Sequence, residues 1–260
     1  MKSKIEQAVV QLLEAEKTKS PCAPVRTLIG AQNVENAYAV QNAISRQKEE
    51  SGARPIGKKI GLTSVAVQQQ LGVDQPDYGA LFDKMQVAEG NPVSVADLMQ
   101  PKAEAEIAFV LKKDLTEGNF SLSEIESAID YAVTAIEIVG SRVKNWDIRI
   151  ADTIADNASA SHFVLGTVRK KLSEIDVVRA TMQLTKNEVL VSEGAGTACL
   201  DSPLIATQWL ANKMVEMGTP LQKDDIVLSG ALGPMTTVEA GDILNATIDG
   251  LGEVSIRFTP

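Results

Sequence analysis

The sequence predicts an α+β protein in which a helical N-terminal region, residues 1–54, is set on a β-rich body running from 55 to 260. Three observations carry that prediction. Apolar residues recur at helical spacing in two early segments. After Pro55, short β-like runs alternate with Gly, Pro and Asp turns. A late segment, Pro203 to Glu216, returns to helical spacing.

The first helix begins where Ser3 and Glu6 stand at capping-box spacing, and Ile5, Ala8, Val9, Leu12 and Leu13 share one face. A proline-containing break, Ser20 to Pro24, ends it. A second helix is expected from Asn33 to Glu50, stopping at Gly52. In the late helix Pro203 takes the first helical position behind Ser202, where its missing N–H is no loss. The C-terminal end reads as strands Asp225–Ser229, Ile243–Asp249 and Glu253–Phe258. The turns Glu239–Asp242 and Gly250–Gly252 separate the last two from what precedes them. There is no internal repeat, low-complexity tract or flexible linker.

With 44% apolar residues in 260, the chain can bury a sizeable core. Its net charge of −9 excludes nucleic acid as a partner, because phosphate binding needs clustered Lys and Arg. An anionic small substrate is still admitted, since a bound divalent cation reverses the local field. The two cysteines, Cys22 and Cys199, have neither metal nor redox spacing, as expected of a reducing compartment. Met1 to Ser20 is amphipathic rather than a basic stretch followed by a continuous apolar one, so it does not read as a signal peptide. No apolar run reaches bilayer length. The expectation is a cytoplasmic protein without a membrane partner.

Lys102-Ala-Glu-Ala-Glu-Ile-Ala-Phe-Val-Leu111 is the most informative stretch. Read as a strand, it puts Glu104 and Glu106 on one face with Ala108 and Val110, and Ala103, Ala105, Ile107 and Phe109 on the other. Adjacent carboxylates in an apolar strand repel one another and are expensive to desolvate. A hard divalent cation relieves both problems. Glu137 is the sole acid of a second apolar run, Tyr131 to Val139. Spacing alone favours three solvent-facing acids on half-exposed strands, paired with Lys or Arg, because Glu-x-Glu is common on strands.

Other residues carry chemistry only conditionally. Lys59, in Gly57-Lys-Lys-Ile-Gly-Leu-Thr-Ser64, suits a substrate carboxylate or proton transfer, although the segment by itself favours a surface lysine in a strand-to-helix turn. Asp77 in Asp74-Gln-Pro-Asp-Tyr-Gly79 is either a general base or a turn former. Asp152-Thr-Ile-Ala-Asp-Asn-Ala-Ser159 reads as a polar loop. In it Asn157 and Ser159 either bond a keto acid or water, or stitch the loop to itself. His162, the only histidine, receives no catalytic role. There is no G-x-S-x-G elbow, and Gly194-Ala-Gly-Thr-Ala-Cys199 lacks the third glycine and βαβ context of a dinucleotide loop.

Six elements occur in order: Lys59–Ser64, Gln70–Gly79, Ala103–Ala108, Glu137–Arg142, Ala155–Ser159 and Leu228–Met235. Together they resemble the 2-keto-4-pentenoate (2-hydroxypenta-2,4-dienoate) hydratases of the fumarylacetoacetate hydrolase superfamily, over nearly the whole chain. The resemblance implies a mixed β-roll or barrel-like core and a Mg²⁺ or Mn²⁺ site on Glu104, Glu106 and Glu137. Lys59, Asp77 and Ser159 then take catalytic positions, and Leu62, Asn157, Ser229 and Leu232 take substrate-binding ones. The implied reaction, in the catabolism of aromatic compounds, converts a short unsaturated 2-keto acid to 4-hydroxy-2-oxopentanoate. Pentamer-based homo-oligomers and a complex with a neighbouring pathway enzyme are also implied.

The chain departs from the family pattern at Leu200-Asp-Ser-Pro203, which lacks a histidine common before the late helix, and at Ser229, where Thr is frequent. The rival readings are a 4-oxalocrotonate decarboxylase, a hydratase of a longer 2-oxo-ene-dioate, and a non-catalytic oligomeric scaffold.

Overall fold

The computed structural model describes residues 2–64, 68, 73 and 75–260. Part of the Gln70–Gly79 motif, namely Gln70 to Gly72 and Asp74, lies outside the described residues.

Three helices open the chain: α1 (Lys4–Thr18), α2 (Arg26–Ile29) and α3 (Val34–Glu50). Ser3 and Glu6 form the reciprocal cap expected of α1, and the Asn33 side chain accepts from the Asn36 N–H at the start of α3. Each cap satisfies a backbone donor that has no partner within its own helix.

Strands follow in two sheets. The larger contains β1 (Pro55–Gly61), β2 (Asp77–Phe82), β3 (Gln86–Val87), β5 (Lys102–Leu111), β6 (Ile129–Val139), β7 (Ala160–Leu165) and β10 (Ile226–Ala231). Its order is β2-β1-β10-β5-β6-β7-β3, with β11 (Thr236–Thr237) paired to the far end of β5. Its pairs are antiparallel except β1 with β10 and β3 with β7, giving the mixed, curled sheet of the predicted class. The smaller sheet runs β4 (Pro92–Ser94), β13 (Gly252–Thr259), β12 (Ile243–Ile248), β8 (Thr181–Lys186), β9 (Val189–Ala195).

Alternation of side chains decides what each face of β5 does. Ala103, Ala105, Ile107 and Phe109 enter the main core, which continues into Leu244, Ile248, Val254 and Phe258 of the smaller sheet. On the opposite face Ala108 joins a smaller cluster with Leu81, Val133, Ala135, Phe163 and Leu228. The glutamates share that second face. Because both faces of β5 are covered, its acids are buried.

Helices α4 (Leu122–Ala128), α5 (Ile150–Ala155) and α6 (Pro203–Glu216) interrupt the strands. The Ser202 side chain caps α6 by accepting from the Leu204 N–H, so the helix begins at Pro203 without the family's histidine. The Asp152–Ser159 segment is a correction to the sequence reading. Residues 150–155 form the buried helix α5, and only the remainder is a turn. Six residues are too few for periodicity to show.

Helix α5 is fixed from the N-terminal side. Gln41 of α3 donates to the carbonyls of Tyr78 (2.8 Å) and Ile154 (2.9 Å), and buried Asp152 accepts from the Arg26 backbone N–H and guanidinium. These bonds set where α5 ends, and therefore where the following turn presents its groups. Among the described residues, no helix is long and apolar enough to cross a membrane.

Candidate active site and metal centre

The β5–β6 register brings the acids together. Glu104 pairs directly opposite Glu137, and Glu106 stands opposite Ala135, whose methyl leaves room for a second long side chain. One carboxylate oxygen from each glutamate lies within 4.8 Å of the other two, and all three side chains are buried. A bulge in β10 between Leu228 and Ala231 turns the Gly230 N–H onto Glu106 Oε2 at 2.9 Å. Glu106 Oε1 and Glu137 Oε1 have no hydrogen-bond partner.

The charges are far out of balance. Burial pushes Glu106 well above the ordinary carboxylate range, and Glu137 and Glu104 beside it push the same way. Burial raises Glu137 to about 7 and Glu104 acts with it, although Lys59 opposes both. Burial likewise raises Glu104. The one buried ammonium among these acids is Lys59, 3.2 Å from Glu137 Oε2 in an ion-pair contact without hydrogen-bond alignment. Burial alone would depress the lysine, but Glu137, Glu104 and Asp77 together raise it, so it is held as a cation.

Unpartnered buried oxygens on Glu106 and Glu137, converging with a carboxylate oxygen of Glu104, are the donor set that a hard divalent cation takes. The residues fit such an ion. They fit poorly with the alternative of half-exposed acids paired to Lys or Arg on the surface.

Asp77, at the start of β2, is also buried, and burial raises it against the opposing pull of Lys59 and Thr153. Thr153 of α5 donates to Asp77 Oδ2 at 3.2 Å, which leaves Oδ1 outside that bond. Oδ1 lies against Gly61. A methyl built on Gly61 would stand 2.3 Å from Oδ1 and 3.5 Å from Lys59 Nζ. Gly61→Ala is therefore expected to displace the Asp77 carboxyl. A shift of order 1 Å at a reacting group costs about 10²-fold in kcat/KM. Steady-state kinetics beside far-ultraviolet circular dichroism checks this, and unchanged kinetics in a folded variant would contradict it.

Behind α5 the chain takes three left-handed residues in succession, Asn157 (φ 57°), Ala158 (φ 50°) and Ser159 (φ 58°). Each costs about 1–2 kcal/mol for an L-residue, so the turn must be held by its surroundings. Asp156 does so from the inside, through the guanidinium and backbone N–H of Arg142, the latter at 2.9 Å. The turn directs the Ala158 carbonyl to Lys59 Nζ at 3.2 Å. It also leaves Ser159 Oγ buried without a partner.

These groups line a cavity of about 480 Å³. Lys59, Leu62, Asp77, Glu104 and Ser159 all face it, together with Thr153 and Trp146, which the sequence reading did not single out. Nothing in their spacing marks either residue. Glu106 and Glu137, within 4.8 Å of Glu104 through a carboxylate oxygen each, are not among the lining residues.

Three expected substrate contacts are placed differently. The Asn157 amide is taken up at both ends by Ala80, accepting from its N–H (2.7 Å) and donating to its carbonyl (2.9 Å). It ties the strained turn to the edge of β2 instead of reaching the cavity. The Leu232 side chain is in the main core, and the apolar wall near it is made by Ala231, Gly233, Pro234 and Met235. Ser229 is fully buried, with an unpartnered Oγ, and is not among the lining residues. His162 shares a hydrogen bond with Ser161 at 2.9 Å and lines a separate cavity.

Comparison with known proteins bears on this arrangement. The family model for the C-terminal region of fumarylacetoacetate (FAA) hydrolase matches residues 38–259. The chain is 50% identical to a TodF product hydratase of Pseudomonas putida, over 98% of this chain and 95% of that one. It is 48% identical to a 2-keto-4-pentenoate hydratase of Burkholderia vietnamiensis, over 98% and 97%. Among solved structures, 4-oxalocrotonate decarboxylase from Pseudomonas putida G7, complexed with magnesium and adipate, superposes with a TM-score of 0.91. That structure is 34% identical and covers 97% of each chain.

Proposed function

The chain belongs to the fumarylacetoacetate hydrolase family and is a hydro-lyase; on that premise we propose that it hydrates 2-hydroxypenta-2,4-dienoate to 4-hydroxy-2-oxopentanoate, using a divalent cation. The observation that carries the reading is the convergence of three buried carboxylates, two of them with unpartnered oxygens, against a cavity lined by Glu104, Lys59 and Asp77. The magnesium in the decarboxylase of similar fold supports a divalent ion of the same kind, Mg²⁺ or Mn²⁺. Held by Glu104, Glu106 and Glu137, such an ion supplies Lewis acidity for the negative charge that develops on a 2-keto acid.

The chain's own side chains account for the rest. Lys59, kept cationic by the acids around it, holds and polarises the substrate oxygens. Asp77 transfers protons through Oδ1. Its raised pKa brings it nearer the working pH, and Thr153 fixes the other oxygen. The 2-hydroxyl proton leaves as the dienol ketonises and carbon 5 is protonated, which shifts the remaining double bond to carbons 3 and 4. Water then adds, its oxygen to carbon 4 and its proton to carbon 3. Ser159 Oγ, buried and unpartnered, orients that water or the substrate.

The test is product identification. Enzyme with Mg²⁺ or Mn²⁺ and the dienol in D₂O should give 4-hydroxy-2-oxopentanoate carrying deuterium at carbons 3 and 5, read by proton NMR. Release of CO₂ from 4-oxalocrotonate, without hydration of the dienol, would instead establish the decarboxylase reading. Absence of turnover and of metal binding would leave only a scaffold.

A further inference from the structure

Asp77 and its hydrogen-bond partner stand on two short elements. Asp77 is the first residue of β2, the end strand of its sheet. Thr153, which donates to Asp77 Oδ2 at 3.2 Å, belongs to the six-residue helix α5. A helix that short is not stable by itself and takes its place from what it packs on. The separation of the two side chains is therefore set by whatever ties β2 to α5.

That tie is Gln41 of α3. Its side-chain amide donates to the Tyr78 carbonyl at 2.8 Å and to the Ile154 carbonyl at 2.9 Å. Each acceptor belongs to the residue that follows one member of the Asp77–Thr153 pair in sequence. The Ile154 carbonyl lies in the last turn of α5, where no N–H of that helix reaches it. An amide nitrogen carries two hydrogens, so one planar group makes both bonds at once. Three residues earlier on α3, the Tyr38 ring stacks on that of Tyr78, with centroids 4.5 Å apart. Gln41 and Tyr38 are both buried, and neither lines the cavity. Strand alternation turns Tyr78 into the core beside them and Asp77 to the cavity.

We propose that Gln41 is a positioning residue for the hydration: by joining the Tyr78 and Ile154 carbonyls it sets the distance from Thr153 to Asp77, so that Oδ2 is held and Oδ1 is left for proton transfer. The inference rests on the reading of Asp77 as the proton-transferring group, and adds to it a residue that touches no substrate. Without the clamp, α5 and the start of β2 part, the Thr153 bond lengthens, and the Asp77 carboxyl is free to turn.

The experiment measures kcat and KM for 2-hydroxypenta-2,4-dienoate with the Mg²⁺-loaded full chain, in wild type, Gln41→Met, Thr153→Val and the double variant. Methionine matches glutamine in length but has no donor, and valine matches threonine in shape but has no hydroxyl. Calorimetric titration with Mg²⁺ and oxalate counts intact sites, so that kcat is read per site. Gln41→Met is expected to lower kcat about 10–100-fold, the cost of a displacement of up to about 1 Å at a reacting group. KM and Mg²⁺ affinity should stay within about threefold, because the clamp acts on the reacting step alone. Thr153→Val should lower kcat to a similar extent. The double variant should fall no more than about threefold below the lower single one, since both changes break the same linkage.

Should Gln41→Met fail to fold, Gln41→Asn is read in its place. It keeps the amide but is one methylene too short to reach both carbonyls, and the same loss in kcat without loss in KM is expected. The proposal is overturned by a folded Gln41 variant whose kcat matches wild type, by losses that multiply in the double variant, or by a loss confined to KM or metal affinity. If wild type does not hydrate the dienol, or Asp77→Asn hydrates it at the wild-type rate, the underlying reading falls first and the role of Gln41 with it.

Discussion

Replacing Glu106 by Gln is expected to weaken divalent-cation binding by more than about 100-fold and to lower hydration by about 10³-fold or more. Loss of a residue that only supports a metal ligand already costs 10–100-fold, and Lewis-acid stabilisation is worth several kcal/mol. The substitution nearly preserves shape, and the amide oxygen can still accept from the Gly230 N–H, so the fold should persist. The same change has an opposite effect on the metal-free protein. Glu106 is fully buried beside two like charges, and neutralising it removes that repulsion. Metal-free Glu106→Gln should therefore melt above metal-free wild type, by about 2–4 °C for each kcal/mol relieved, while losing the stabilisation that Mg²⁺ or Mn²⁺ gives wild type. Calorimetric titration with the two ions and paired melting curves check both halves. Unchanged affinity and activity would mean that Glu106 is not a ligand.

Asp77→Asn is expected to lower kcat by about 10²–10⁴-fold, the usual contribution of a positioned acid/base group, with metal affinity preserved within a few-fold. The asparagine keeps an acceptor for Thr153 and the volume that Gly61 accommodates, but it cannot carry a proton between hydroxyl, water and carbon. Residual activity should remain, since Lys59 and the metal ligands are untouched. Turnover at the wild-type rate would remove Asp77 from the chemistry. Loss of metal binding in this variant would show that Asp77 supports the ion instead.

The two variants separate what was legible in the residues from what was not. Helix limits at Ser3, Asn33 and Ser202 could be read directly, because a capping side chain and a periodic apolar face are local signals. The pairing of Glu104 with Glu106 was legible too, since a strand's period of two is a property of one segment. That Glu137 stands opposite Glu104 is a matter of register between residues 33 apart in sequence on two strands, and spacing could not supply it. The resemblance to known hydratases did.

Asn157 shows the limit of motif reasoning. Its position matches a family site, yet its amide closes the edge of β2 through Ala80, a role that only the three-dimensional neighbour reveals. Leu232 is similar. It lies in the right segment, but a strand's alternation and the β10 bulge send its side chain to the core and leave its neighbours facing the cavity. Thr153 and Trp146 were missed because their contributions depend on a six-residue helix and on a strained turn, neither of which leaves a periodic trace.

The most direct measurement is an anomalous difference map from crystals grown with Mn²⁺ and soaked with oxalate. A single strong peak among the Glu104, Glu106 and Glu137 carboxylates, with oxalate on its open side toward Lys59 and Asp77, is the expected result. A peak elsewhere, or three glutamates turned away from one another around a metal-free cavity at saturating Mn²⁺, would contradict it.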